Sequence, residues 1–438
     1  MGRTFFIKTY GCQMNLYDEG IVRELLKREG LVATKREEEA DFLLILTCAV
    51  RRHAERRALG FLSSLVRLKR NHPTKRIGIL GCLARALGEK AFAYGADFVL
   101  GPDEYRKLPD IIRMEGKGTV NEIPTDETYD DLHPEPNGIT AFLSIMRGCN
   151  NFCAYCIVPY CRGRERSRNF NQILKEAKGL VEKGVKEITL LGQNVLSYKS
   201  EAGDFLALLK ELNAIEGLQR IRFLTSHPKD FSFPLIEGIA NLIKKGKVCP
   251  EFHLPLQSGS NKILSRMGRK YTREEYLEKI RYLRLLLPDC AITTDILVGF
   301  PTEEREDFQL TLDMVERIRF DFAYMFKYSE RPYTKARFLT PKVSEEEKQE
   351  RLSLLITIQN RITKEKCEET IGKVFPVLIE EIREDGAQGK TPQGKFVIIP
   401  EQKNGITVGE TYPVKIERLV GWTPIGNLLL SSENKEEK

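Results

Sequence analysis

Cys149-Asn-Asn-Phe-Cys153-Ala-Tyr-Cys156 follows directly on an apolar run at 140–146 that reads as a β-strand. Three cysteines spaced C-x3-C-x2-C supply three ligands of a 4Fe-4S cluster and leave the fourth iron without one. A fourth cysteine would close the cluster and make an electron carrier. An open iron can take an external ligand instead, so the stretch reads as a reactive centre placed just past the end of a strand.

Downstream the strand–helix rhythm repeats. Strands are expected at 188–191, 221–224, 251–256, 291–298 and 322–326, with helices between them, for example 304–317. Six βα units are too few for a closed eight-stranded barrel, so a partial (β/α)6 barrel is expected. The working face of such a barrel is at the strand C-termini. Polar residues collect there, Gln193, Ser226 and Gln257 among them, and Gly299 follows the fifth strand.

Upstream, apolar runs at 5–7, 42–46, 77–80 and 98–100 alternate with helical patterns, which implies a parallel sheet covered by helices. Cys12, Cys48 and Cys82 each sit just past the end of one of these runs. Strand C-termini share one edge of a parallel sheet, and open α/β sheets bind ligands there. Three thiolates meeting at that edge would make a second cluster with one open iron. Two alternatives stand beside this. The three cysteines can be buried structural residues, or they can bind zinc with His53 as the nearest fourth ligand. Cys249, Cys290 and Cys367 have no ligand-like spacing and read as core thiols.

Residues 345–369 form a charged helical connector. Short β-runs with turn glycines follow at 373–379, 395–399, 411–416 and 425–430, expected as a small antiparallel OB-like barrel. The polar tail 431–438 reads as disordered. The fold class is therefore α/β: an N-terminal parallel α/β sheet domain at 1–130, a partial (β/α)6 barrel at 135–368 and a small β-barrel at 371–434.

Composition sets the outer limits. The chain has 438 residues, enough for two or three domains. No run of 18 apolar residues exists, so no membrane span is expected. The N-terminus lacks a signal-peptide pattern, and a cytoplasmic location is expected. There, ten cysteines are metal ligands or reduced thiols rather than disulfides. The net charge of +7 permits a nucleic-acid partner without requiring one. Arg162, Arg164, Arg166 and Arg168, beside the cluster loop, are candidate phosphate contacts, because a guanidinium donates paired hydrogen bonds. Arg51, Arg52, Arg56 and Arg57, after Cys48, would extend that path. Residues 371–438 carry 9 Lys+Arg against 10 Asp+Glu, a net of −1, so this segment is no generic basic clamp.

The three segments in this order resemble the methylthiotransferases of the radical-SAM superfamily over nearly the whole chain, with a TRAM domain at the C-terminus. The resemblance rests on Thr9-Tyr-Gly-Cys-Gln-Met-Asn15, Arg147-Gly-Cys-Asn-Asn-Phe-Cys153, Tyr155-Cys-Ile-Val-Pro-Tyr160, Leu190-Leu-Gly-Gln-Asn-Val195 and Arg162-Gly-Arg-Glu-Arg-Ser-Arg168. Cys161 stands where the family usually has threonine. The resemblance implies two 4Fe-4S clusters, on Cys12, Cys48, Cys82 and on Cys149, Cys153, Cys156, with S-adenosylmethionine on the open iron of the latter. Tyr155, Gln193, Ser226, Gln257 and Gly299 become its candidate contacts. It further implies a monomeric, cytoplasmic enzyme with an electron donor of flavodoxin or ferredoxin type. Its reaction would be methylthiolation at carbon 2 of isopentenyl-adenosine in a tRNA anticodon stem-loop. Relatives acting on a ribosomal protein or on threonylcarbamoyl-adenosine are the nearest alternative. A non-catalytic iron–sulfur RNA-binding or electron-transfer protein is the alternative of another class. The missing fourth cysteine in each set argues against that last reading.

Overall fold

Runs that are apolar at nearly every position need cover on both faces, and the N-terminal sheet provides it. Phe42–Thr47 is buried at all six positions. The computed structural model describes residues 3–50, 52–114, 116–120, 122, 126–400 and 405–429; Arg51 and the tail 431–438 lie outside them. Six parallel strands run in the order Val32–Ala33, Thr4–Thr9, Phe42–Thr47, Arg76–Gly81, Phe98–Leu100 and Gly118–Val120. Side chains alternate between faces. Phe5, Leu44 and Phe98 meet Tyr17, Ile21 and Leu25 of the helix Gln13–Arg28. Phe6, Leu43, Ile45 and Ile77 meet Leu62 and Leu65 of the helix Arg52–Asn71.

The central domain holds two parallel trios. Thr140–Ser144, Glu187–Leu191 and Arg220–Phe223 form one. Glu251–His253, Ala291–Val298 and Phe322–Lys327 form the other. The bridge between Ile221 and Val248 joins them into an open arc of six strands. Helix starts are fixed by side-chain caps: Asn169 and Asp204 accept from backbone N–H groups, and Thr272 with Glu275 forms a capping box.

The C-terminal strands close a barrel in the order Val374–Arg383, Gly386–Lys390, Phe396–Pro400, Thr423–Leu428, Thr411–Val420. It is not wholly antiparallel. Phe396–Pro400 and Thr423–Leu428 pair in parallel through Ile398 and Ile425. A ring of five strands cannot alternate direction all the way round, so one parallel pair is forced. Val377, Ile379, Val397, Ile399, Val414 and Ile416 fill the interior.

The barrel docks on the strand N-termini of the arc. Arg220 donates to the carbonyls of Lys390 (2.5 Å) and Pro376 (2.7 Å), and Arg222 to those of Thr391 (2.8 Å) and Pro392 (2.9 Å). The opposite edge, where the strand C-termini end, is left for the cysteine loops.

Candidate functional site

Two glycines let the N-terminal loops close in. Gly11 and Gly81 hold φ of +128° and +91°, a region where other residues are strained. A Cβ on Gly81 would stand 2.6 Å from the Thr47 carbonyl, and one on Gly11 would overlap Cys48. Cys12 then opens the helix Gln13–Arg28, Cys48 follows Phe42–Thr47, and Cys82 opens the helix Cys82–Leu87. The neighbouring Cys48 thiol, first, brings Cys12 down to about 6 against its burial, with Arg162 and the Asn15 N–H helping. Cys48 rises correspondingly. Cys82 is lowered by a hydrogen bond from Cys161. The Cys161 sulfur also lies 3.4 Å from the Cys82 carbonyl oxygen.

The second set is held by backbone. Cys149 N–H donates to the Gly163 carbonyl (3.1 Å), Ala154 N–H to Met267 (2.8 Å) and Ala336 N–H to the Ala154 carbonyl (2.8 Å). Burial pushes Cys149 up and takes Cys156 to about 12, with the Cys153 sulfur adding to the latter. Metal arrival must therefore displace protons here.

Both sets suit thiolate-bound iron. Asn151 N–H points at the Cys149 sulfur (3.5 Å) and Val50 N–H at that of Cys48 (3.4 Å). The buried Arg269 guanidinium donates to the Cys153 sulfur at 3.6 Å. Arg162 Nη1 is buried without a partner among the described residues, and its charge acts on Cys12, Cys82 and Cys161. Such donors suit anionic sulfur. No three of His, Cys, Asp or Glu among the described residues stand close enough for a single ion, and His53 is exposed.

The two sets share a seam. The helix Val158–Arg162 follows Cys156 directly, and its Ile157 and Cys161 neighbours pack with Ala49 and Cys82. Cys161 is thus an inter-domain contact beside Cys82, which its sequence position did not reveal.

The arginine run is a clamp more than a phosphate surface. Arg162 and Arg168 are 3% and 0% exposed. Arg162 donates to Asp18 Oδ2 (2.7 Å), Arg166 to Asp103 Oδ2 (2.5 Å), and Arg168 to Asp130 Oδ1 (2.7 Å) and Glu176 Oε2 (2.8 Å). Only Arg164 among the four is exposed. Arg147, which sequence reasoning passed over, lies at the centre: it is fully buried and donates to Asp18 Oδ1 (2.8 Å) and Asp103 Oδ1 (2.7 Å). Burial alone would raise the Asp103 carboxyl, yet Arg147, Arg162 and Arg166 hold it below the ordinary range.

Gln193, Ser226, Gln257 and Gly299 all come to the strand C-terminal edge of the arc. Gln257 takes φ +66° and bridges Ile296; Gly299 N–H donates to Glu303 Oε2 (3.1 Å). Tyr155 packs beside Ile263, Met267 and Phe300. Gln193 Oε1, His227 Nε2, Thr302 Oγ1 and Tyr328 OH are buried at or near this edge with no hydrogen-bond partner among the described residues. Native proteins rarely leave buried polar atoms unpaired, so the edge fits a polar ligand.

The open arc with C-x3-C-x2-C after its first strand defines a radical-SAM protein, and residues 143–315 match the Radical SAM superfamily. Residues 4–101 match a second family, described as Uncharacterized protein family UPF0004. The tRNA-2-methylthio-N(6)-dimethylallyladenosine synthase of Parabacteroides distasonis is 44% identical, across 97% of this chain and 95% of that protein. The synthase of the same name from Thermoanaerobacter pseudethanolicus is 45% identical, across 97% and 92%. The chain belongs to the tRNA-2-methylthio-N(6)-dimethylallyladenosine synthase family. Among solved structures, a radical S-adenosylmethionine methyltransferase from Kitasatospora setae aligns with a TM-score of 0.59 at 14% identity, across 88% of this chain and 80% of that one; this likeness concerns the fold.

Proposed function

We propose that this chain is the enzyme that transfers a methylthio group to carbon 2 of N(6)-isopentenyl-adenosine, next to the anticodon of tRNA. The observation that carries the reading is the seam: the helix Val158–Arg162, which follows the C-x3-C-x2-C loop, packs its Cys161 against Cys82 of the other three-cysteine set. When bound, the two 4Fe-4S clusters and S-adenosylmethionine supply one-electron radical chemistry and a sulfur to transfer.

The chain's own residues have three tasks. Cys12, Cys48 and Cys82 hold the first cluster, and Cys149, Cys153 and Cys156 the second. Arg269 directs an N–H at the Cys153 sulfur, and the buried charge of Arg162 acts on Cys12 and Cys82 on the other side. Tyr155, Gln193, Ser226, Gln257 and Gly299 line the strand-end edge and orient S-adenosylmethionine, and the unpaired polar atoms there find partners in it. Acid–base side chains are not needed to break an inert C–H bond. Arg164 meets phosphate, and the C-terminal barrel acts as a TRAM domain that grips RNA by a local patch. Three domains at 1–130, 135–368 and 371–434, a cytoplasmic location, a monomeric state and a flavodoxin- or ferredoxin-type donor complete the proposal. No described helix is long and apolar enough to cross a membrane.

The test is anaerobic reconstitution with S-adenosylmethionine, a reductant and isopentenylated anticodon stem-loop RNA, followed by nucleoside mass spectrometry. A methylthio adduct on isopentenyl-adenosine is expected. Cleavage of S-adenosylmethionine without that adduct would move the acceptor to threonylcarbamoyl-adenosine or a ribosomal protein.

A further inference from the structure

Three aromatic rings, from Phe152, Tyr160 and Tyr333, form a continuous strip beside the cysteine seam. Phe152 meets Tyr160 edge-on at 6.2 Å between ring centroids, and Tyr160 meets Tyr333 at 6.2 Å with planes tilted by 32°. Phe152 lies between Cys149 and Cys153, and Tyr160 directly precedes Cys161. Tyr333 belongs to a segment pinned on both sides. Two residues before it, Arg331 donates to Glu55 Oε2 (2.7 Å) and to the Val50 carbonyl (3.1 Å), beside Cys48. Three residues after it, Ala336 N–H donates to the Ala154 carbonyl in the second cysteine loop. The strip therefore borders both cysteine sets.

Its outer surface is wet. Tyr333 is 61% exposed, Phe152 36%, and Phe338, in the same pinned segment, 76%. Rings of this size are usually drawn inside, so the exposed faces of the strip, with Phe338 five residues along the same segment, mark an interaction surface. Cations flank it: Arg164 lies over the Phe152 ring at 5.5 Å, and Arg337 over that of Phe338 at 5.2 Å. Both arginines are exposed.

The backbone adds a separate observation. Phe152 and Tyr333 hold φ of +45° and +67°. For bulky residues this region is a true outlier, and such strain persists where it serves a site. Here both residues are rings with exposed faces.

Exposed aromatics interleaved with arginine recognise unpaired nucleic-acid bases. Every base has a π-face for stacking, and the guanidinium planes serve the phosphates or stack in turn. Rings between cations also suit a peptide or an anionic membrane; what favours RNA here is the place of the strip beside the cysteine seam, where the proposed reaction brings the anticodon loop. We infer that the strip formed by Phe152, Tyr160 and Tyr333, extended by Phe338, is a stacking platform for the unpaired loop bases flanking the acceptor adenine. The inference rests on the proposed tRNA reading and adds to it the residues that hold the loop open. Flanking bases parked on the strip leave the acceptor base free to turn toward the seam.

The experiment is a binding cycle with the full reconstituted chain and fluorescently labelled, isopentenylated anticodon stem-loop RNA, read by anisotropy at fixed salt. Loss of a stacking ring typically weakens binding about tenfold or more per base. Tyr333→Ala and Phe338→Ala are each expected to lose about that much, and Tyr333→Phe to bind as the wild type does. An RNA abasic at the flanking positions should bind wild type more weakly and be indifferent to Tyr333→Ala. Wild-type affinity for both alanine variants, with wild-type conversion of this RNA intact, overturns the platform alone. Equal losses on intact and abasic RNA overturn it too, since the ring would then not act through the base. A wild-type chain that neither binds nor converts this RNA defeats the tRNA reading and the platform with it.

Discussion

Replacing Asp18 by Asn tests the clamp that joins the two cysteine-bearing domains. Asp18 is fully buried, and its two oxygens serve two guanidiniums, Oδ1 for Arg147 and Oδ2 for Arg162. Neutralising it leaves Arg147 with Asp103, and Arg162 with only the Asn15 side-chain oxygen at 3.3 Å. Asparagine also brings an NH2 that turns a donor toward groups that only donate. Removing one partner of a buried ion pair costs about 3–5 kcal/mol, a large part of the roughly 5–15 kcal/mol that holds a domain together. With a urea dependence of about 1–3 kcal/mol per molar, the unfolding midpoint of the metal-free full chain should fall by about 1–5 M. Asp131→Asn is the control: that side chain is 56% exposed in its pair with Arg106, and exposed pairs are worth about 0–1 kcal/mol. Combining Asp18→Asn with Arg162→Met should be less than additive, because the two share one contact. A midpoint for Asp18→Asn no lower than that for Asp131→Asn would refute the reasoning.

Arg269→Gln removes a positive charge and a donor from the Cys153 sulfur. A charged hydrogen bond of about 1.5–3 kcal/mol corresponds to about 60–130 mV for one electron, so the potential of that cluster should fall by this order in an EPR-monitored redox titration. Arg269→Lys should fall less, and an unchanged potential in both would sink the assignment. Cys12→Ser should lower iron from roughly eight to roughly four atoms per chain, by iron assay, while Cys249→Ser leaves it at the wild-type level. Acid should destabilise the fold in two windows. Burial first, then Arg269 and Lys229, Lys279 and Lys270, take His227 down to about 2. Below about pH 6.5 the unfolded chain gains a proton there that the folded one refuses, a slope of about 1.4 kcal/mol per pH unit. Asp103 is held low, so its contribution persists above about pH 3.9 and is lost as pH falls through its folded value. In melting curves from pH 7 to 4.5, His227→Asn, which keeps an acceptor for the Lys229 N–H now bonded to His227 Nδ1, should lose the first slope. Parallel curves for wild type and variant would contradict it.

The parts of the molecule legible in the sequence are those written in local patterns. Continuous apolar runs gave the parallel strands, and a cysteine past three of the four N-terminal runs, with the C-x3-C-x2-C loop after 140–146, put those residues at strand ends. Turn glycines and short β-runs gave the closing barrel, although not its forced parallel pair. The arginine run from Arg162 to Arg168 misled because a charge is read against its neighbours in sequence. Its true partners stand far off: Asp18 is 144 residues from Arg162, and Asp130 is 38 from Arg168. Arg147 was invisible for the same reason. Cys161 showed only as an unusual residue, since its meaning depends on where the helix Cys82–Leu87 packs.

The clamp and the first cysteine set are parts of one element. Cys12 opens the helix Gln13–Arg28, and Asp18, within its second turn, fixes that helix to arginines on either side of the second cysteine loop. The placing of one cysteine loop relative to the other is therefore carried by buried ion pairs of defined geometry. Buried pairs add little net stability over apolar packing but hold one arrangement against others, which suits a site where two centres must serve one acceptor atom. The C-terminal barrel takes no part in this. Arg220 and Arg222 tie it to the strand N-termini, and strands of three to eight residues separate that edge from the cysteine loops by about 10–26 Å at about 3.3 Å per residue. Under the proposed tRNA reading, an RNA whose loop sits at the seam meets the barrel only at a distance from the acceptor base, and a segment with a net charge of −1 would recognise it by shape and a few placed contacts, not by charge in bulk.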